Sequence, residues 1–239
     1  MTLAERIRWP IILLLVYAGI WTALAISPVY REAWFLENIL IFIAIPFLIF
    51  TYQYFRLSNL SYNLIFVFLV LHAFGSHYTY AEVPFGFWLK ELFGFTRNNY
   101  DRITHFAFGL LLAYPVRELF MRVAQTKGIW SYWFPVELTI ALSALFEIGE
   151  WITVILSNPQ AGSAFLGEQG DTWEAVKDMA CASVGAILAM AAVMITRAKL
   201  DPEFRSELVE SIRIKRATPL GEIEFARLEN KSKPKRRKT

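Results

Sequence analysis

The chain of 239 residues is 56% hydrophobic, has a mean hydropathy of +0.39 and carries a formal net charge of +3. It is more apolar than an ordinary soluble domain of this length, which excludes that class. The single cysteine, Cys181, excludes an intramolecular disulfide framework and reads as a small packing residue.

Charge is crowded into connections and the tail. Residues 9–30, 38–55 and 179–196 hold no Asp, Glu, Lys or Arg, and residues 57–81 hold only histidines. A hydrocarbon core of about 30 Å needs roughly 20 apolar residues. Alternating segments of about ten residues, the mark of a membrane β-barrel, are not visible. The predicted class is all-α: a polytopic membrane bundle of six transmembrane helices over residues 1–200, followed by a tail over residues 201–239.

The first helix is predicted from about Trp9 to Ser27. Ala23-Leu24-Ala25 has the small-x-small form of a signal-peptidase site, but the apolar run is long and bulky Leu24 and Ile26 surround it. An uncleaved span is therefore expected. The second helix runs from Asn38 to Phe55 and the third from Tyr62 to Tyr80. The connection after it, with Phe85, Phe87, Trp88, Leu89, Leu92, Phe93 and Phe95, is too apolar for a solvated linker. A short interfacial helix is predicted there from about Phe87 to Phe93, placed as a lid. The fourth helix runs from about Asp101 to Met121, the fifth from Trp133 to Leu156, and the sixth from Trp173 to Arg197.

In the tail, Asp201-Pro202 is a helix start, with Asp as N-cap and Pro at the first position. A short amphipathic helix to about Ile214 is expected, then a disordered basic segment. Residues 231–238 carry six basic residues in eight, a composition suited to anionic lipid headgroups. No aromatic-interleaved surface accompanies them, so nucleic acid is not an expected partner.

Arg6, Arg8, Arg56, Arg117, Arg122, Lys127 and the basic residues from Arg197 onward make 19 of the 24 Lys and Arg, all on one side of the predicted topology. The positive-inside rule puts both termini in the cytoplasm. The first, third and fifth connections then face outside. Six tyrosines and tryptophans, Tyr78, Tyr80, Trp88, Tyr100, Trp151 and Trp173, are assigned to an aromatic belt near the outer boundary.

With this topology the polar residues of the spans fall in one half of the membrane. His72 and His77 lie at the outer end of the third helix. Asp101 and His105 open the fourth, one turn apart on one face. Glu147 and Glu150 lie in the outer part of the fifth, with Ser143 one turn below Glu147. Glu168 and Asp171 belong to the loop before the sixth helix, and Asp178 enters with it. Ionisable groups at such depth are costly and need partners. Glu147 and Glu150 can be tolerated by a shared proton, by a cation between them, or by pairing with Arg102 or Lys177. A stripe of small residues, Asp178, Ala182, Gly185, Ala189 and Ala192, lets the sixth helix approach its neighbours closely.

Imidazoles and carboxylates together suit zinc, manganese or iron. His72, His77, Asp101, His105 and Asp178 are the candidate ligands of such a divalent ion, and Glu147 and Glu150 the candidate general acid and base. The spacings themselves, H-x4-H and D-x3-H, are not diagnostic.

The run Asp101-x3-His105 with Gly109, then Glu147-x2-Glu150-Trp151, then Gly167-Glu168-Gln169-Gly170-Asp171 and Lys177-Asp178-Met179, resembles the YjdF-like family of uncharacterised bacterial inner-membrane proteins. A weaker likeness is to the VanZ-like superfamily, in which a D-K-x-x-H-F pattern opens one helix; Arg102 stands here in place of that Lys. The resemblance implies a multi-pass protein of the bacterial inner membrane. Two functions fit the cluster. One is a metal-dependent hydrolase or transferase acting on a lipid-linked or cell-envelope substrate. The other is a proton- or cation-coupled carrier, for which Glu137 is the sole further step toward the inner side.

Overall fold

The structure is a computed structural model that describes residues 3–156, 169–215 and 218–232. Every regular element among the described residues is a helix: α1 (Leu3–Ala25), α2 (Arg31–Glu37), α3 (Ile39–Tyr52), α4 (Asn59–Tyr78), α5 (Pro84–Phe93), α6 (Tyr100–Arg122), α7 (Trp130–Leu156), α8 (Glu174–Leu200), α9 (Phe204–Ser211) and α10 (Leu220–Ser232). The helices predicted for the six spans correspond to α1, α3, α4, α6, α7 and α8. Of these, α1, α4, α7 and α8 are long and apolar enough to cross a membrane, and α2 with α3 makes a fifth if the bent pair is one span. At 23 residues α6 has the length, but His105, Arg117 and Glu118 in its interior make it too polar to qualify by composition.

The sequence reading missed α2, which at seven residues is too short for a periodic signal. The chain bends by 40° between α2 and α3. Asn38 at the break is fully buried. Its Nδ2 donates to the Trp34 carbonyl (2.8 Å), and Trp21 Nε1 on α1 donates to its Oδ1 (2.7 Å). A single amide side chain thus ties the break to α1 and supplies a donor to the turn before it, a requirement where no water is at hand.

In the centre, α6 packs against α4, α7 and α8, while α1 lies on the far side of α4. Two glycines set the α6–α8 distance. A Cβ on Gly109 would sit 1.9 Å from the Ala182 carbonyl oxygen, and one on Gly185 would sit 2.2 Å from the Phe106 carbonyl oxygen. The two backbones are therefore in direct contact, as small residues permit. The small-residue stripe is buried at Asp178, Ala182, Gly185 and Ala189, and continues through Ala186 and Met190 rather than through the exposed Ala192.

At one end of the bundle α9 closes over the α6–α7 connection. Gly128 N donates to Glu207 Oε1 (2.7 Å) and Ile129 N to Ser211 Oγ (3.1 Å). Phe204 joins Ala113, Tyr132 and Ala186 in a buried apolar cluster. Asp201 ends α8 instead of capping α9, whose N-cap is Glu203 without a side-chain cap bond; Asp201 Oδ1 accepts from Glu203 N (3.0 Å). The helix itself spans Phe204–Ser211 rather than reaching Ile214. Part of the stretch expected to be disordered forms α10, where Pro219 precedes a run of helix-forming residues. Residues 233–239 of the basic segment lie outside the described residues.

Candidate functional site

The opposite end of the bundle holds the candidate site residues, and two connections fix it. Asn98 N donates to Gln169 Oε1 and Gln169 Nε2 returns a bond to the Asn98 carbonyl, each at 2.9 Å. Arg97 pairs with Glu174 in the first turn of α8, with both side chains buried. Arg102 pairs with Asp171, as does Lys177 at 2.7 Å. Asn98 is itself fully buried, and a Cβ on Gly86 would overlap its amide. The start of α8 is thereby held against the start of α6.

Arg102 and Lys177 both serve Asp171, not Glu147 or Glu150, so the pairing anticipated for the two glutamates is replaced. Asp171 accepts bonds from Lys177 and the Trp173 N–H, with Arg102 adding its charge, and its carboxyl is held down at about 2. Glu168 lies outside the described residues.

Behind this clamp, three helices bring acids together. Asp101 on α6 and Glu174 and Asp178 on α8 each offer a carboxylate oxygen, all within 4.8 Å of one another. His105 Nε2 lies 3.6 Å from Asp101 Oδ1 and 3.4 Å from Glu147 Oε1 on α7. Those separations exceed a good hydrogen bond. Neither His105 nor Glu147 joins the group of three carboxylates whose oxygens lie within 4.8 Å of one another. Asp178 is only 1% exposed, and its Oδ1, Glu174 Oε2 and Glu147 Oε1 are buried with no hydrogen-bond partner among the described residues. Glu150 interacts with Glu147 and is charge-coupled to Asp101 and Glu37.

The other two histidines part company. His77 turns toward α1, where its Nδ1 donates to the Leu24 carbonyl (2.6 Å). It stands apart from the cluster. His72 is buried and hydrogen-bonded through Nδ1 to the Tyr80 hydroxyl. Tyr80 reaches back along α4 because Thr79 and Tyr80 adopt left-handed φ of 58° and 50°. Such conformations persist in non-glycine residues where the surroundings over-determine them. Gly75 makes room: a Cβ there would lie 2.5 Å from the tyrosine ring.

A cavity of about 200 Å³ adjoins the cluster. His72, Tyr80, Asp101, His105 and Glu150 form its polar part, and Phe68, Phe108 and Phe146 are among its apolar walls.

The model of a predicted membrane protein family, DUF2238, matches residues 9–199. The chain belongs to this family. It is also 36% identical to the inner membrane protein YjdF of Escherichia coli (strain K12) over 176 residues, 73% of this chain and 81% of that protein. No solved structure matches. The DUF2238 match spans α1 to α8 almost entirely, and with the apolar helices it makes this an integral membrane protein of an uncharacterised family.

Within this DUF2238 chain, sequence reasoning missed Glu174, Glu37, Arg97 and Tyr80. Glu174 stands four residues before Asp178 on the same face, a signal that was present. Glu37 is buried at the start of the second hydrophobic segment, a position like that of the half-buried Asp101 at the start of the fourth. Arg97 lies in a connection, where no periodicity speaks for a contact. Tyr80 and Tyr100 were assigned to the aromatic belt but are buried; Tyr100 donates its hydroxyl to the Leu71 carbonyl (2.9 Å). Trp88, Trp151 and Trp173 are exposed.

Proposed function

We propose that this chain is a metal-dependent hydrolase or transferase of the bacterial inner membrane, acting on a lipid-linked or cell-envelope substrate. The observation that carries the proposal is that Asp101, Glu174 and Asp178 each offer a carboxylate oxygen within 4.8 Å of the others, with Asp178 Oδ1 and Glu174 Oε2 buried and without a hydrogen-bond partner among the described residues. Uncompensated acids at such density are costly in a low-dielectric setting. A divalent cation removes that cost and gives it a purpose.

Asp101, Glu174 and Asp178 would hold the ion, with His105, 3.6 Å from Asp101, as the imidazole at the edge of the set and Glu147 beside that imidazole. A donor set of several carboxylates and one imidazole leans toward manganese, ahead of iron and zinc. Bound there, the ion supplies a polarised substrate oxygen or an activated water. Glu150 faces the cavity and is the base that takes the proton, and Glu147 links it to His105. His72 and Tyr80 form a donor pair that orients the substrate.

The remaining topology belongs to the same proposal. We take α6 as a full span, giving six, with both termini cytoplasmic, residues 1–200 as the membrane domain and residues 201–239 as a tail on anionic headgroups. In this arrangement α5 lies at the outer interface above the cluster. The VanZ-like pattern, with an acid and a histidine opening one helix, agrees with this location for the site. The carrier alternative is less well supported, because Glu137, its further step, is exposed on the outside of α7.

Elemental analysis of the purified protein tests the reading. About one manganese, iron or zinc per chain is expected after dialysis, and its loss in Asp178→Asn and Glu174→Gln while both variants elute as the parent does. A parent protein that binds none of these ions at micromolar concentration overturns it.

A further inference from the structure

The cavity beside the cluster has its polar and apolar residues segregated. Leu40 on α3 and Leu142 on α7 also line it, and both are exposed on the bundle's apolar exterior. Its mouth therefore opens where hydrocarbon lies against the protein, between α3 and α7. Phe68, Phe108 and Phe146 line the passage, and the carboxylates of Asp101 and Glu150, with His105, His72 and Tyr80, close its inner part. A ligand that fits this order of surfaces has an apolar chain behind a donor-bearing head. At about 200 Å³ the space is smaller than the roughly 300 Å³ of a pocket that encloses a whole small molecule. It holds a head and the first methylenes, with the rest of the chain left in the bilayer.

We infer that the substrate is a membrane phospholipid with an ammonium-bearing head, and that it reaches the site sideways from the bilayer between α3 and α7. The acid-rich interior accounts for the ammonium, since carboxylates accept its hydrogen bonds. The cation of the proposed metal site accounts for the phosphate, and to that extent the inference rests on the metal reading. Leu40 and Leu142 account for the route, because a water-soluble ligand gains nothing from a mouth lined by leucine in hydrocarbon.

Photocrosslinking in vesicles tests this. The manganese-loaded protein is reconstituted in phosphatidylcholine with a small fraction of phosphatidylethanolamine bearing a diazirine close to the carbonyl end of one chain. Adducts are expected to concentrate on Phe68, Leu142 and Phe146. A phosphatidylcholine probe with the same diazirine, which lacks the N–H donors, should spread over the lipid-facing surface. Leu142→Trp or Leu40→Trp should lower the focused labelling by about tenfold, equivalent to about 1.4 kcal/mol, with metal content unchanged. Ethanolamine adducts spread like those of the choline probe, or focused adducts that survive both tryptophan variants, overturn the inference. Metal content measured on the same sample separates the two readings: focused adducts on a metal-free chain keep the lipid and remove the ion.

Discussion

The two ends of this bundle both carry ionisable groups, and they treat them in opposite ways. At the end closed by α9, the acids Glu118, Asp201 and Glu207 all have partners. Arg197 pairs with Asp201 (2.9 Å) and Glu207 (2.6 Å). Glu118 accepts from Ser58 N (2.9 Å), Ser61 Oγ (2.6 Å) and Arg122 (2.7 Å), which caps the start of α4. Arg117 lies over the Tyr132 ring at 4.6 Å. At the end under α5, Arg97 of the connecting loop and Arg102 in the first turn of α6 are spent on Glu174 and Asp171. The acids deeper in, Asp101, Glu147, Glu150 and Asp178, are left facing one imidazole. A junction that exists to hold helices together saturates its charges. An unsaturated set costs stability, and a chain keeps one where it does something with it.

That contrast can be broken or sharpened by substitution. The largest effect is expected from Arg97→Met, which leaves Glu174 buried without its cation. Breaking one side of a buried pair costs about 3–5 kcal/mol, and the loss should be read as a fall in thermal midpoint in detergent. Asp178→Asn should weaken manganese binding by more than about 100-fold, since even residues behind metal ligands cost about 10–100-fold; titration calorimetry measures it. With chelator present the same variant should melt above the parent, because one acid has left a crowded set. Gly109→Ala would push α6 away from the Ala182 carbonyl, costing about 1–3 kcal/mol as overpacking does and loosening metal affinity with it. Glu207→Gln at the other end should lower stability, by about 1 kcal/mol or less given its partial exposure. Opposite signs for the two acid-to-amide changes are the sharpest check of the comparison.

The smallest effect concerns pH. The Asp171 carboxyl is held at about 2, below its ordinary 3.8, by Lys177, the Trp173 N–H and Arg102. A depressed carboxyl adds stability that is complete above its ordinary value and is lost as pH falls toward the lowered one. The fluorescence difference between the parent and Trp173→Phe should stay flat from pH 8 to about pH 4 and change only between about 4 and 2.

Much of the scaffold was legible because apolar runs of membrane length are hard to mistake. The gaps between charges gave α1, α3, α4 and α8, the shorter uncharged run 103–116 gave α6, and α7 was placed despite the three glutamates within it. The polar cluster was legible where its residues sit on helices at regular spacing. Asp101, His105, Glu147, Glu150 and Asp178 share an end of the bundle because α7 runs opposite to α6 and α8: the first two and Asp178 lie near the N-termini of α6 and α8, the glutamates near the C-terminus of α7. What could not be read was pairing across connections. Nothing in the spacing says that Arg97 meets Glu174, that Arg102 and Lys177 both go to Asp171, or that the turn at Thr79 folds Tyr80 onto His72. Those contacts join residues far apart in sequence and depend on loop geometry, which periodicity does not encode. His77 shows the converse: it is close in sequence to His72, yet its ring serves a carbonyl of α1.

The backbone contact at Gly109 and Gly185 has a dynamic consequence. Two helices touching carbonyl to glycine cannot slide or roll over each other without collision, so α6 and α8 travel as one rigid beam. Asp101, His105, Glu174 and Asp178 all ride on that beam and keep their spacing. Any breathing of the chamber must come from the walls that lack such a lock, α7 with Glu147 and Glu150, and α3 with Leu40. The cluster thus has a fixed anvil in α6 and α8 and a movable jaw in α7, which carries Glu147 and Glu150.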